Sequence, residues 1–162
     1  MIEVTLETLQ MSLVSHHRVA VLREIDAERY LPILIGPFEA EAIANCLNRI
    51  EITRPQTHDL FVNMLRALDA ELLYIVVNAL HDNIFYARLV LEIDGQEIEV
   101  DSRPSDAMAV AVRLGAPIFV AEEVMDEAAI VPEPDLVNAQ AADKDLGVFR
   151  DFLSTLDEDL SQ

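Results

Sequence analysis

The apolar positions of this chain change rhythm several times, and each change predicts an element. Residues 2–25, "IEVTLETLQMSLVSHHRVAVLREI", mix alternating and β-branched positions with few helix-cap signals. They predict two or more strands that turn near Ser15 to Arg18. "RYLPILIG" reads as a buried strand. From Pro37 the spacing lengthens: Ala40, Ile43, Ala44, Leu47 and Ile50 share one helical face, with Pro37 at the first position and Glu39 in the first turn. Thr57 then reads as the N-cap of a second helix with Leu60, Phe61, Met64, Leu65 and Leu68 facing inward, ending near Asp69. "AELLYIVVNAL", "IFYARLVLEI" and "QEIEVD", separated by His81-Asp82-Asn83 and by Asp94-Gly95, predict a three-strand meander. A helix from about Pro104 to Leu114, stopped by Gly115, precedes a short strand "PIFVA" and a helix from about Glu122 to Ala129.

Residues 132–144, "PEPDLVNAQAADK", lack an apolar period and carry two prolines, which marks a linker. Beyond it Phe149, Phe152, Leu153 and Leu156 recur at helical spacing. The expected organisation is one α+β domain over residues 1–131, a mixed or antiparallel sheet with several packed helices. An acidic linker and a C-terminal amphipathic helix follow over residues 132–162.

Composition narrows the function classes. At 162 residues and 52% hydrophobic content the chain closes a core without metals or disulfides. The single Cys46 and the absence of a basic-then-apolar leader point to the cytoplasm. Arg113 and Gly115 interrupt the longest apolar run, so no membrane span of roughly 20 residues is expected. The formal charge is −19, and residues 122–162 hold 12 acidic against 2 basic residues, net −10, leaving −9 for residues 1–121. With one lysine in the chain, tight non-specific binding of nucleic acid is disfavoured.

The candidate chemistry lies in two Arg-Pro elements, "RPQTHDL" at 54–60 and "DSRPSDA" at 101–107. Each makes sense as a helix start, with Pro in or before the first turn and Asp59 or Asp106 complementing the positive helix end. The arginines are not explained that way. Arg54 and Arg103 sit where a cation is electrostatically misplaced unless an anion is near, either a carboxylate of the protein or a bound phosphate. Convergence of the two elements into one site is therefore expected. Asp101 and Asp106, with Asp59, are candidate ligands for Mg²⁺ or Mn²⁺, although Asp101 pairing with Arg103 or Arg54 is an equal alternative. His58 is a candidate general base or phosphate-orienting group. His16, His17 and His81 lack metal-ligand spacing, and Cys46 reads as packing.

Taken in order, "LPILIGPFEAEAIANCL", "RPQTHDLFVNML", "FYARLVLE" and "VDSRPSDAMAVAVRLGAPIFVAEEV" resemble the bifunctional nuclease family, often called the BFN domain, from about residue 4 to 131. T-R-P-x-T-H-D-L followed at a distance by V-D-x-R-P-S-D-A is the most specific pair of motifs. The resemblance implies an α+β domain, hydrolysis of DNA and RNA with little sequence preference, and a homo-oligomer such as a dimer. The positions matching its polar motif are Arg54, Thr57, His58, Asp59, Asp101, Arg103, Ser105 and Asp106, with Glu39 and Glu41 in the preceding helix.

The expected reading is a metal-assisted nuclease or phosphodiesterase. His58, Asp59, Asp101 and Asp106 are its catalytic candidates, and Asp59, Asp101 and Asp106 its metal ligands. Arg54, Thr57, Arg103 and Ser105 would bind phosphate, and the partner would be nucleic acid or a small phosphodiester, with no membrane. The alternative is a non-enzymatic binding or regulatory module that uses the Arg/Asp cluster as a structural or anion-binding site.

Overall fold

The computed structural model describes residues 1–11 and 18–132, and these form seven strands and four helices. Strand β1 (Ile2–Met11) pairs antiparallel with β2 (Arg18–Glu24), and β2 with β3 (Tyr30–Ile35). The meander is β4 (Glu71–His81), β5 (Ile84–Ile93) and β6 (Gln96–Ser102). Its two turns carry positive φ at both central residues, 51° and 60° at Asp82-Asn83 and 52° and 74° at Asp94-Gly95. Two-residue hairpins with the native twist need that conformation, which Asn, Asp and Gly tolerate.

Strand β7 (Ile118–Val120) lies between β1, to which it is antiparallel, and β4, to which it is parallel. One mixed sheet results, in the order β3-β2-β1-β7-β4-β5-β6. A parallel neighbour requires a crossover, and here β5, β6 and the helix α3 (Pro104–Leu114) make it. Ala107, Met108, Ala109, Val110 and Ala111 of α3 are all buried, in one core with Ile75, Val77, Ala87 and Leu91 of the sheet. Their small side chains leave room for α1 (Pro37–Leu47) and α2 (Thr57–Ala67) to pack on α3. The last helix, α4 (Glu122–Ala128), packs on both β4 and β3, and Ile130 bridges to Tyr30. Strands far apart in the sheet order are thereby drawn together, and the sheet curls. The architecture is the expected single α+β domain.

Three expectations change at residue level. Gln56, not Thr57, is the N-cap of α2, and its N–H donates to Asp59 Oδ2 at 2.8 Å. The inward face of α2 is also rotated. Leu60, Phe61, Met64 and Leu68 are at least half exposed, while His58 and Val62 are buried and Leu65 packs against the core. The helix turns its polar first-turn residues toward α3, and that fixes which side is covered. On α1, Ala40 and Ile43 are buried as expected, but Leu47 is exposed, and so is Ile50 beyond the helix end. The linker and terminal helix expected over residues 132–162, and most of the first strand turn, lie outside the described residues.

Candidate active site

Helix α3 begins sharply. Arg103 is its extended N-cap, Pro104 presets the first turn, and Gly115 closes the helix in the left-handed conformation at φ 67°. Two charged residues stand two turns apart on one of its sides, Asp106 and Arg113. Helix α2 meets them with two consecutive residues. His58 Nε2 lies 3.1 Å from Asp106 Oδ1, and Arg113 Nε donates to Asp59 Oδ1 at 2.7 Å. The pairs are opposite in polarity, so α2 is clasped onto α3 in one register.

The Asp59 end of this clasp is closed. Arg113 also donates to Ala109 O of its own helix at 2.8 Å and to Ala42 O of α1 at 3.1 Å, and its side chain is only 7% exposed. Burial pushes the Asp59 carboxyl pKa up. The Arg113 guanidinium and the Gln56 N–H outweigh it and hold the group below the ordinary carboxylate value. Beside this pair is a hollow of about 270 Å³ lined by Cys46, Arg49, Ile50 and Ile52 along with Asp59 and Arg113.

The Asp106 end is open. Arg103 Nε donates to Asp106 Oδ2 at 2.6 Å, and Arg103 Nη2 donates to Asp106 Oδ1 at 3.0 Å and to Glu39 Oε1 of α1 at 2.8 Å. Those bonds use three of the five guanidinium N–H groups, and among the described residues Nη1 has no partner. The Arg103 side chain is 65% exposed. Burial raises the Asp106 pKa, but Arg103 first and His58 second bring it below the ordinary value. Reciprocally, the bonds to Asp106 and then Glu39 raise the pKa of Arg103. His58 is buried at 7% exposure, and its Nδ1 has no hydrogen-bond partner among the described residues.

The two Arg-Pro elements thus meet through His58 and Asp106, and Arg103 has the protein anions its position demanded. Arg54 does not join them. It is exposed ahead of α2 and makes no ion pair among the described residues. Thr57 is exposed at the start of α2, Ser105 is buried in the first turn of α3, and Glu41 is exposed on α1. Asp101 is on the other side of the sheet. Ser102 is registered against Ala87, on the face that packs under α3, and Asp101 against Arg88, one residue out of phase. Side chains alternate along a strand, so Asp101 projects from the face opposite the helices. There Arg88 pairs with Glu99.

The three carboxylates Asp59, Asp101 and Asp106 do not share a point. Among the described residues, no group of three or more His, Cys, Asp or Glu is placed to hold a metal ion. Glu39 and Asp106, which reach the same Arg103 nitrogen, are the carboxylates that converge. Arg113 was not among the expected site residues. Its signal was its place seven residues after Asp106 in an otherwise apolar helix.

Comparison with known proteins identifies the family. The family model described as the bifunctional nuclease domain matches residues 20–133. An uncharacterized protein of Mycobacterium tuberculosis, in strains ATCC 25618 and CDC 1551, is 38% identical over 144 residues, 87% of this chain and 86% of its own length. Bifunctional nuclease 1 of Oryza sativa subsp. japonica is 27% identical over 108 residues, which are 65% of this chain and 33% of the plant protein. No described helix is long and apolar enough to cross a membrane. On the family model and the mycobacterial relatives together, the chain belongs to the bifunctional nuclease domain family.

Proposed function

We propose that the chain hydrolyses phosphodiester bonds of nucleic acid at the open end of the α2–α3 clasp. The observation that carries this reading is the His58–Asp106 pair beside an exposed guanidinium with two N–H groups unpartnered among the described residues. Asp106 accepts the Nε2–H of His58, which leaves the Nδ1 lone pair to take a proton from an attacking water. Arg103 Nη1 can hold a phosphate oxygen without breaking either of its ion pairs. Arg54, which makes no ion pair among the described residues, supplies a second cation ahead of α2. The net charge of −19 makes binding of a long polymer weak and strongly salt-dependent.

Mg²⁺ or Mn²⁺ is the cofactor proposed with this activity. Glu39 and Asp106, which Arg103 draws together, would hold it with water on the lone pairs that Arg103 and His58 leave free, since Mg²⁺ often takes only one or two protein carboxylates. It would polarise a phosphoryl oxygen.

A second reading, a binding module in which the network is structural, is favoured by the Asp59–Arg113 end, where every contact is internal. The two readings separate in one experiment. The purified chain is incubated with single-stranded DNA, duplex DNA, RNA and a small phosphodiester, with and without divalent metal. Cleavage that His58→Ala lowers by about two orders of magnitude, while the variant melts cooperatively, supports the hydrolase. Equal cleavage by wild type and a folded His58→Ala variant removes His58 from the chemistry and points to another site or a contaminating nuclease. No cleavage by wild type with any substrate, with or without metal, leaves the binding module.

A further inference from the structure

The exposed apolar residues of α2 form a stripe. Phe61, Met64 and Leu68 recur at i, i+3 and i+7, with Leu60 beside them, and they are 50%, 50%, 63% and 55% exposed respectively. This is the pattern of a helix that packs against another helix, yet the described structure covers a different side of α2. Four large apolar side chains on one surface helix call for a cover.

We infer that the chain's own C-terminal segment, residues 145–160, docks on this stripe. The segment lies outside the described residues and has the complementary chemistry. Phe149, Phe152, Leu153 and Leu156 repeat at i, i+3, i+4 and i+7, a stripe of the same length as Phe61 to Leu68. Its charge fits as well. Residues 145–160 carry five acidic residues against Arg150, and Asp157, Glu158 and Asp159 cluster at the end. At the start of α2 stand Arg54 and Arg49, neither of which makes an ion pair among the described residues, and Arg49 lines the same hollow as Asp59. An antiparallel alignment sets Leu156 near Phe61, Phe149 near Leu68, and the acidic cluster at the two arginines and the positive end of α2. Reach is no obstacle. The described structure ends at Pro132, and residues 133–148 span up to about 50 Å when extended.

Hydrogen exchange on the full-length chain tests the docking. Amides of residues 149–156 should exchange at least about tenfold more slowly than the free-chain rate in wild type. Met64→Asp/Leu68→Asp, at exposed positions of α2, should abolish that protection, and Phe152→Asp/Leu153→Asp should do the same. A cooperative melt of each variant confirms the fold, and Met64→Ser/Leu68→Ser repeats the test with a milder change. Free-chain exchange of the segment in wild type overturns the inference, as does protection that survives the α2 substitutions. Protection that appears only as protein concentration rises overturns the intrachain arrangement and gives the stripe to a second copy.

Discussion

The two ends of the α2–α3 clasp are built from the same chemistry, an aspartate with a cationic or titratable partner, and they differ in access. At the Asp59 end the guanidinium of Arg113 spends its hydrogen bonds on three helices and is nearly sealed from solvent. At the Asp106 end the guanidinium of Arg103 is mostly exposed and keeps N–H groups unused. Each guanidinium makes three hydrogen bonds, so exposure is what separates the two ends. A buried pair fixes geometry and offers a ligand no approach, whereas an exposed one can hold its neighbours and still bind. Two pairs only two helical turns apart can therefore divide the work, one fastening α2 so that the other presents His58.

The largest expected effect is at the closed end. Arg113→Ala strands Asp59 beside α1 and removes the donor to Ala42 O, and breaking a buried pair this way costs about 3–5 kcal/mol. Thermal or urea melts should show that loss, with any cleavage falling in step with the folded fraction. A variant that keeps its melting point would remove Arg113 from the clasp and, with it, the contrast between the ends.

At the open end the effect should fall on chemistry. Asp106→Asn removes a charge that orients His58 and anchors Arg103, and cleavage should drop by two orders of magnitude or more, about 2.7 kcal/mol in the barrier. The side chain of Asp106 is 30% exposed, so the melting temperature should move less than for Arg113→Ala. If Asp106→Asn destabilises as much as Arg113→Ala and the folded variant cleaves normally, both ends are structural.

Acid should reveal the pairs together. Both Asp59 and Asp106 titrate below the ordinary aspartate value of 3.8 in the folded chain. A depressed folded pKa contributes stability that is fully present above the unfolded value and is lost as pH falls through the folded one. Wild type should lose stability progressively below about pH 4, and Asp59→Asn should flatten that limb of the curve. An acid limb of unchanged slope in Asp59→Asn would dissociate its carboxylate from the stability of the fold.

Much of the fold was legible because local signals agreed with tertiary packing. Pro104 and Gly115 bound α3 as the spacing predicts, and Asp94-Gly95 makes the turn its residues favour. The face of α2 was not legible from periodicity. A helical stripe shows that a side can be covered, whereas here the His58–Asp106 and Asp59–Arg113 pairs choose which side meets α3. Asp101 was separated from the site by strand parity. Ile98 and Val100 alternate with Glu97, Glu99 and Asp101, so the sequence contained that sorting, but proximity to Arg103 along the chain suggested convergence instead. Arg103 found its anions in the carboxylates of Asp106 and Glu39, the second of which comes from a helix 64 residues earlier. No local pattern announces such a partner.

The smallest expected effect comes from an ion pair outside the clasp. Arg88 and Glu99 face each other across β5 and β6 on the sheet side away from α1, α2 and α3, and both side chains are about half exposed, 45% and 52%. Water screens such a pair, and ordering two long side chains offsets its attraction, so exposed pairs contribute about 0.2–1 kcal/mol. Glu99→Gln should shift the melting temperature by a few degrees at most and leave cleavage unchanged, with the shift shrinking as salt is added. Since Asp101 also opposes Arg88, that arginine keeps a carboxylate neighbour on the same face after the substitution. A loss comparable to Arg113→Ala would mean that the far face of the sheet governs stability as much as the clasp, and access would no longer separate fasteners from functional pairs.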